Sequence, residues 1–203
     1  MIRIKLCGLT KKSDILTADE LLPGYIGFVL WNKSRRYVPP EAVLQLKGLL
    51  DPRITAVGVF VDEDIKKVSR LLKEGVIDAA QLHGAEGEDY IRSLKGDTGK
   101  PVIKAFRMDE KSDVSMINES PADLILLDSG AGGGRLLDRR LLSGVKRPYL
   151  LAGGLSPDNV KDAISELSPF GVDVSSGIET DGVKDRDKMR RFVEEVRRCE
   201  KHD

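Results

Sequence analysis

Residues that build metal centres and covalent staples are scarce: the chain has two cysteines and two histidines among 203 residues. Cys7 and Cys199 lie near opposite ends and His83 and His202 are far apart, so neither a disulfide nor a Cys/His zinc site is expected. Net charge is lacking too. Thirty-three basic side chains balance thirty-three acidic ones, which removes the global field that recruits nucleic acid or an anionic membrane, while a local anion site is still allowed. No apolar run is long enough to span a bilayer, and the chain opens on a strand pattern rather than a basic segment followed by an apolar signal core. A cytoplasmic protein is expected. No linker or low-complexity stretch divides the chain, so residues 1–203 read as one domain, with 40% hydrophobic content to fill its core. The tail from Arg197 to Asp203 is expected to fray.

What is present is an alternation. Eight β-rich runs recur, at Ile2 to Leu6, Tyr25 to Leu30, Thr55 to Val61, Ala79 to Leu82, Pro101 to Phe106, Leu124 to Leu127, Tyr149 to Leu151 and Val172 to Val174. Helix-like stretches separate them, such as Asp64 to Glu74, with Ile65, Val68, Leu71 and Leu72 in phase, and Asp185 to Arg198, with Met189, Phe192, Val193 and Val196 in phase. Eight βα units in 203 residues are roughly 25 residues each, near the lower limit of a (β/α)8 TIM barrel. The rival, an open doubly wound sheet, carries its glycine-rich phosphate turn after the first strand, whereas here such turns follow the last two, which favours the single-domain α/β barrel. Two glycine-bearing breaks, Asp128 to Arg140 and Gly96-Asp97-Thr98-Gly99, read as loops, the first a candidate lid.

The first strand sends Ile2, Ile4 and Leu6 one way and Arg3, Lys5 and Cys7 the other, a charged file ending in a thiol that suggests a polar cavity. On the same parity Lys5 and Asp173 point inward and pair, with Arg3 at the barrel floor. Other strands end in polar residues: Gln81 and His83, Asp128, and Ser175-Ser176-Gly177. Each has an ordinary reading, since a buried cysteine is usually a small hydrophobe and a strand-end aspartate often caps a loop. Together, Cys7 and Asp128 form a base and an acid opposed across a barrel mouth. A free thiol needs a positive neighbour to serve as a base at neutral pH, and Lys5 shares its face. Gly153 and Gly154 allow close backbone approach, and Ser156-Pro157 reads as a helix N-cap; with Ser175, Ser176 and Gly177 they make a phosphate cradle. A tight turn is the plain alternative. The basic run Asn32 to Tyr37 reads either as a solvated loop or as an arginine forking onto a carboxylate.

Taken in order, Lys5-Leu6-Cys7-Gly8-Leu9-Thr10, Lys33-Ser34-Arg35-Arg36-Tyr37, Val57-Gly58-Val59-Phe60, Gln81-Leu82-His83-Gly84, Leu126-Leu127-Asp128-Ser129, Leu151-Ala152-Gly153-Gly154-Leu155 and Asp173-Val174-Ser175-Ser176-Gly177-Ile178-Glu179 resemble the motifs of the phosphoribosylanthranilate isomerase family. The resemblance implies an Amadori rearrangement of N-(5-phosphoribosyl)anthranilate in tryptophan biosynthesis, on a small phosphorylated substrate. It implies Asp128 as general acid, Cys7 as general base, Arg36 on the anthranilate carboxylate, His83 as a further substrate contact, and Gly153, Gly154, Ser175, Ser176 and Gly177 at the phosphate. One departure stands out. Where the family carries Gly-Gly-Thr-Gly and then Phe-Asp-Trp, this chain reads Gly130-Ala131-Gly132-Gly133-Gly134-Arg135 and Leu137-Asp138-Arg139.

Two rival functions stand beside this one. The histidine-pathway sugar isomerase of the same fold resembles a two-aspartate enzyme, and Cys7 argues against it as the main activity. A catalytically silent barrel binding a phosphorylated ligand would not require Cys7 and Asp128 to share a rim. No metal, organic cofactor, nucleic acid or membrane is expected, and proton transfers alone suffice for the chemistry. Monomer and homodimer both stay open.

Overall fold

The computed structural model describes residues 2–130 and 137–199. Within them eight parallel strands close into one barrel in sequence order: β1 (Arg3–Cys7), β2 (Tyr25–Val29), β3 (Thr55–Phe60), β4 (Ala79–Leu82), β5 (Val102–Arg107), β6 (Leu124–Asp128), β7 (Tyr149–Ala152) and β8 (Gly171–Val174). The last closes on the first through Lys5↔Asp173 and Leu6↔Val174. Each strand lies within a residue or two of its expected run, because period-two stretches of β-branched and aliphatic residues suit a pleated, doubly buried surface. Among the described residues seven helices pack outside: α1 (Lys12–Leu21), α2 (Pro40–Lys47), α3 (Ile65–Lys73), α4 (Glu88–Thr98), α5 (Val114–Glu119), α6 (Val160–Leu167) and α7 (Arg186–Cys199). Among the described residues none is long and apolar enough to cross a membrane.

The core has two layers. Inside the barrel sit Val57, Ala79, Ile103, Ala105, Leu126, Leu150 and Ala152. Outside it, strand residues of the opposite parity, such as Ile4, Leu6, Ile26 and Phe28, pack against Val68, Leu71, Leu72, Phe192, Val193 and Val196 of α3 and α7. At the C-terminal rim the inward parity of β1, β5 and β6 runs on into Cys7, Arg107 and Asp128, and one residue past β8 into Ser175.

Several local expectations are corrected. Gly96-Asp97-Thr98 is no loop but the last turn of α4, which stops at Gly99 in the left-handed region at φ 63°. Ser156 caps a turn rather than the helix: its Oγ accepts from Asp158 N at 3.3 Å and its carbonyl from Val160 N at 3.1 Å, and α6 starts at Val160 with Asn159 before it. Before β7 lies a 3₁₀ turn, Arg139–Leu142, with Asp138 accepting from Arg140 N. Residues 131–136 of the candidate lid lie outside the described residues. The C-terminal tail holds further than expected, since α7 runs to Cys199 and Arg197 Nη2 donates to Leu21 O at 2.6 Å. A small hairpin, β9 (Glu179–Thr180) and β10 (Val183–Lys184), follows β8 unannounced by the sequence pattern.

One ion pair outside the barrel braces its rim. Lys104 points outward from β5, and its Nζ donates to Gly84 O at 2.6 Å and Glu86 Oε2 at 3.1 Å. Glu86 also accepts from the amides of Asp62 and Gly84 at 2.8 and 2.9 Å, tying the loops after β3 and β4 together. Both side chains are almost wholly buried, at 7% and 2% exposure. Glu86→Ala strands a buried ammonium and two amides, so urea unfolding should show a loss of about 3–5 kcal/mol. A loss near zero would mean that the pair is solvated.

Candidate active site

Cys7 ends β1 at the barrel mouth and is buried. It fits there because β2 carries glycine beside it: a Cβ on Gly27 would lie 2.7 Å from Cys7 Sγ and 3.1 Å from Lys5 Nζ. The loop that follows is pinned by Asp14 of α1, which accepts from the amides of Thr10 and Lys11 at 2.9 and 3.0 Å. Lys5 lies one inward step below the thiol and is fully buried, its Nζ 2.8 Å from Asp173 Oδ1. Burial opposes the ammonium charge, yet Asp173 and the neighbouring thiol hold its pKa above the ordinary value. The expected pairing across the β1–β8 seam is therefore present. Its effect on Cys7 differs from expectation: burial pushes the thiol up, Lys5 and Lys184 pull it down, Asp173 opposes them, and the net shift is upward. Burial outweighs a lysine already shared with a carboxylate.

Asp128 ends β6, three strands from β1 by the shorter way round, so acid and base candidates flank an arc rather than a diameter. His83 Nε2 stands 3.5 Å from Asp128 Oδ2, and the Gly130 amide donates to Oδ1 at 2.9 Å. Gln81 Nε2 lies 3.0 Å from His83 Nδ1; an amide donating there would leave the ring hydrogen on Nε2, facing Asp128. Arg107, the β5 register partner of Asp128, lies along Gly130, where a Cβ would come 2.5 Å from its Nε. The His83 contact, the Gly130 amide and the Arg107 charge outweigh burial and hold the Asp128 carboxyl below the usual range.

The arc between the two is formed by the loops after β7 and β8. Gly153 and Gly154 both take left-handed backbone, at φ 88° and 67°, and a Cβ on Gly153 would lie 2.6 Å from Asp128 Oδ1. A Cβ on Gly177 would strike the Leu155 carbonyl, so the loops touch through a position that admits no side chain. Ser175 Oγ in turn faces Gly8 beside Cys7. Arg36 reaches the same place from the loop after β2, which Ser34 turns back by donating its amide to Trp31 O at 3.0 Å and accepting from Arg36 N at 3.1 Å through Oγ. The guanidinium stem crosses Gly8, 2.6 Å from where a Cβ would stand.

Cys7, Arg36, His83, Asp128, Gly153, Gly154, Ser175, Ser176 and Gly177 thus all lie at the C-terminal mouth, on or just past the ends of their strands. Sequence reasoning missed Gly27, Arg107 and Lys184. Gly27 and Arg107 were legible from inward parity next to Cys7 and Asp128; Lys184 was not, because it arrives on a hairpin. Among the described residues no group of three His, Cys, Asp or Glu side chains could hold a metal ion.

In the prediction drawn from this geometry, Cys7 titrates high. In a Cys199→Ser background its thiolate ultraviolet absorbance should appear above the ordinary thiol range, and Lys5→Met should move it further up. An unchanged midpoint in Lys5→Met would show that Asp173 absorbs the whole field of the lysine.

Residues 4–195 match the family model described as N-(5'phosphoribosyl)anthranilate (PRA) isomerase. The chain is 40% identical to the N-(5'-phosphoribosyl)anthranilate isomerase of Thermoanaerobacter pseudethanolicus, over 97% of this chain and 98% of that one. Among solved structures it resembles the phosphoribosyl anthranilate isomerase of Thermotoga maritima, at 35% identity and TM-score 0.89 over 97% and 99% of the two chains. It is also similar, at 34% identity and TM-score 0.86 over 97% and 99%, to a phosphoribosyl anthranilate isomerase in complex with reduced 1-(o-carboxyphenylamino)-1-deoxyribulose 5-phosphate.

Proposed function

The chain belongs to the N-(5'-phosphoribosyl)anthranilate isomerase family, isomerases of tryptophan biosynthesis, and from that premise we propose that it performs an Amadori rearrangement with Asp128 as general acid and Cys7 as general base. The observation that carries this reading is the shared mouth: thiol, carboxyl, Arg36 and both glycine–serine loops meet at one rim. Asp128 gives its proton to the ribose ring oxygen; the C1–O bond breaks as the anilino nitrogen lone pair forms a C1=N Schiff base. The Cys7 thiolate then removes the C2 proton, and that electron pair forms C1=C2 and neutralises the nitrogen. The enolamine so formed tautomerises: the C2 hydroxyl loses its proton, C1 gains one, and C2 becomes the ketone. Arg36 takes the anthranilate carboxylate, His83 supports Asp128 against the sugar, and the amides of Gly153, Gly154, Ser175, Ser176 and Gly177 take the phosphate.

The pKa directions give this mechanism a signature. The acid must be protonated, yet Asp128 is held low; the base must be ionised, yet Cys7 is held high. The reactive form, with the proton on Asp128 and none on Cys7, is therefore a minor tautomer of the singly protonated pair, and its share is constant between the two pKa values.

Turnover of freshly prepared N-(5'-phosphoribosyl)anthranilate, followed by anthranilate fluorescence, tests the assignment. Cys7→Ala and Asp128→Ala should each lower kcat by about 10²–10⁴-fold, and Arg36→Ala should act mainly on KM. No turnover by folded wild type would refute the activity, and full turnover without Cys7 would require another base. The pH profile of kcat/KM should be a broad plateau, falling at low pH as Asp128 protonates and at high pH as Cys7 ionises. A narrow bell around neutrality would contradict it.

A further inference from the structure

A charge cluster lies beside the thiol, none of whose members donates or accepts a proton in the proposed mechanism. Glu179, at the start of β9, is almost wholly buried, with 4% of its side chain exposed. It meets three cations: Arg35 Nη2 at 2.8 Å, Arg36 Nε and Nη2 at 2.6 and 2.9 Å, and Lys184 Nζ at 2.7 Å. Lys184 is itself 2% exposed and also donates to Ser175 O at 2.8 Å. The β9–β10 hairpin makes this meeting possible, since its register pairs Lys184 with Glu179 directly.

From this arrangement we infer that Glu179 is the positioning residue of Arg36, a clamp that aims the guanidinium at the substrate's aromatic carboxylate. The inference rests on the proposed function and deepens it. A guanidinium has two edges that can each fork onto a carboxylate. Glu179 occupies the Nε/Nη2 edge, so the Nη1/Nη2 edge is left for a ligand and its direction is set before one arrives. An unclamped arginine would lose side-chain entropy on binding; this one has already lost it in folding.

Lys184 and Arg35 complete the device. A lone buried glutamate beside the site would repel an incoming carboxylate, but one carboxylate against three cations leaves the cluster positive. Burial works against the Glu179 charge, and the hydrogen bonds from Arg36 and Lys184 overcome it and hold the carboxyl at about 2. The clamp is therefore ionised throughout the neutral range. Lys184 also ties the clamp to the Ser175 loop, so the carboxylate and phosphate ends of the pocket are braced by one side chain.

Glu179→Gln keeps the shape and removes the charge. Calorimetric titration with the reduced product analogue should show binding weakened roughly tenfold or more, while the counterpart lacking the ring carboxylate binds within about twofold of wild type. In steady state KM should rise while kcat changes little. Equal losses on both ligands, or none on either, would overturn the clamp. A readout independent of substrate is the ¹⁵N-labelled Arg36 Nε–H: it should exchange slowly in wild type and rapidly in Glu179→Gln. Fast exchange in wild type overturns the inference even if the variant fails to fold. Slow exchange in a wild type that turns over no substrate would refute the proposed function and uphold the clamp.

Discussion

Register parity in a closed parallel barrel is the constraint on which the rest depends. Every second side chain of each strand points inward, and closure removes the edge at which a strand could slip. A slip of one residue on β1 would bury Ile4 and Leu6 in the mouth and send Lys5 and Cys7 among the outer helices. Lys5↔Asp173 locks that register, since the pair of charges is satisfied at 2.8 Å only when β1 and β8 are aligned as they are. A buried pair of this kind adds little net stability but heavily penalises misalignment, because either partner alone would be an uncompensated charge.

Electrostatics then sorts the mouth. Asp128 sits among donors and stays ionised; Cys7 sits in a dry layer and stays protonated. On the proposed mechanism neither is held in the form the chemistry uses, so the reactive protonation state is a minor one of the pair. Arg36 is treated oppositely, being fixed in charge and direction before any ligand arrives.

How much of this was legible follows from the range of each interaction. Strand positions, the inward parity of Lys5, Cys7 and Asp173, and the rim membership of Asp128 and the glycine loops were readable because period two is a local property. The α4 terminus was misread because Gly96 looks like a break, while the chain continues in helix until Gly99 supplies left-handed backbone. The upward shift of Cys7 was misread because a neighbouring lysine is visible in sequence and the depth of burial is not. Glu179 and Lys184 lie five residues apart in sequence, yet their joint role depends on Arg36 from the loop after β2, 143 residues from Glu179. The functional roles rest on the resemblance to a family and remain proposals beside the geometry.

The most direct test of the central claim is a crystal structure of this protein with the reduced product analogue bound. The account predicts Cys7 Sγ at about 3.5 Å from C2 of the sugar, the Asp128 carboxyl across the sugar near the oxygen that leaves the ring, and the phosphate on the loops at Gly153–Gly154 and Ser175–Gly177. A ligand with C2 turned away from Cys7, or with its phosphate at Arg36, would contradict it.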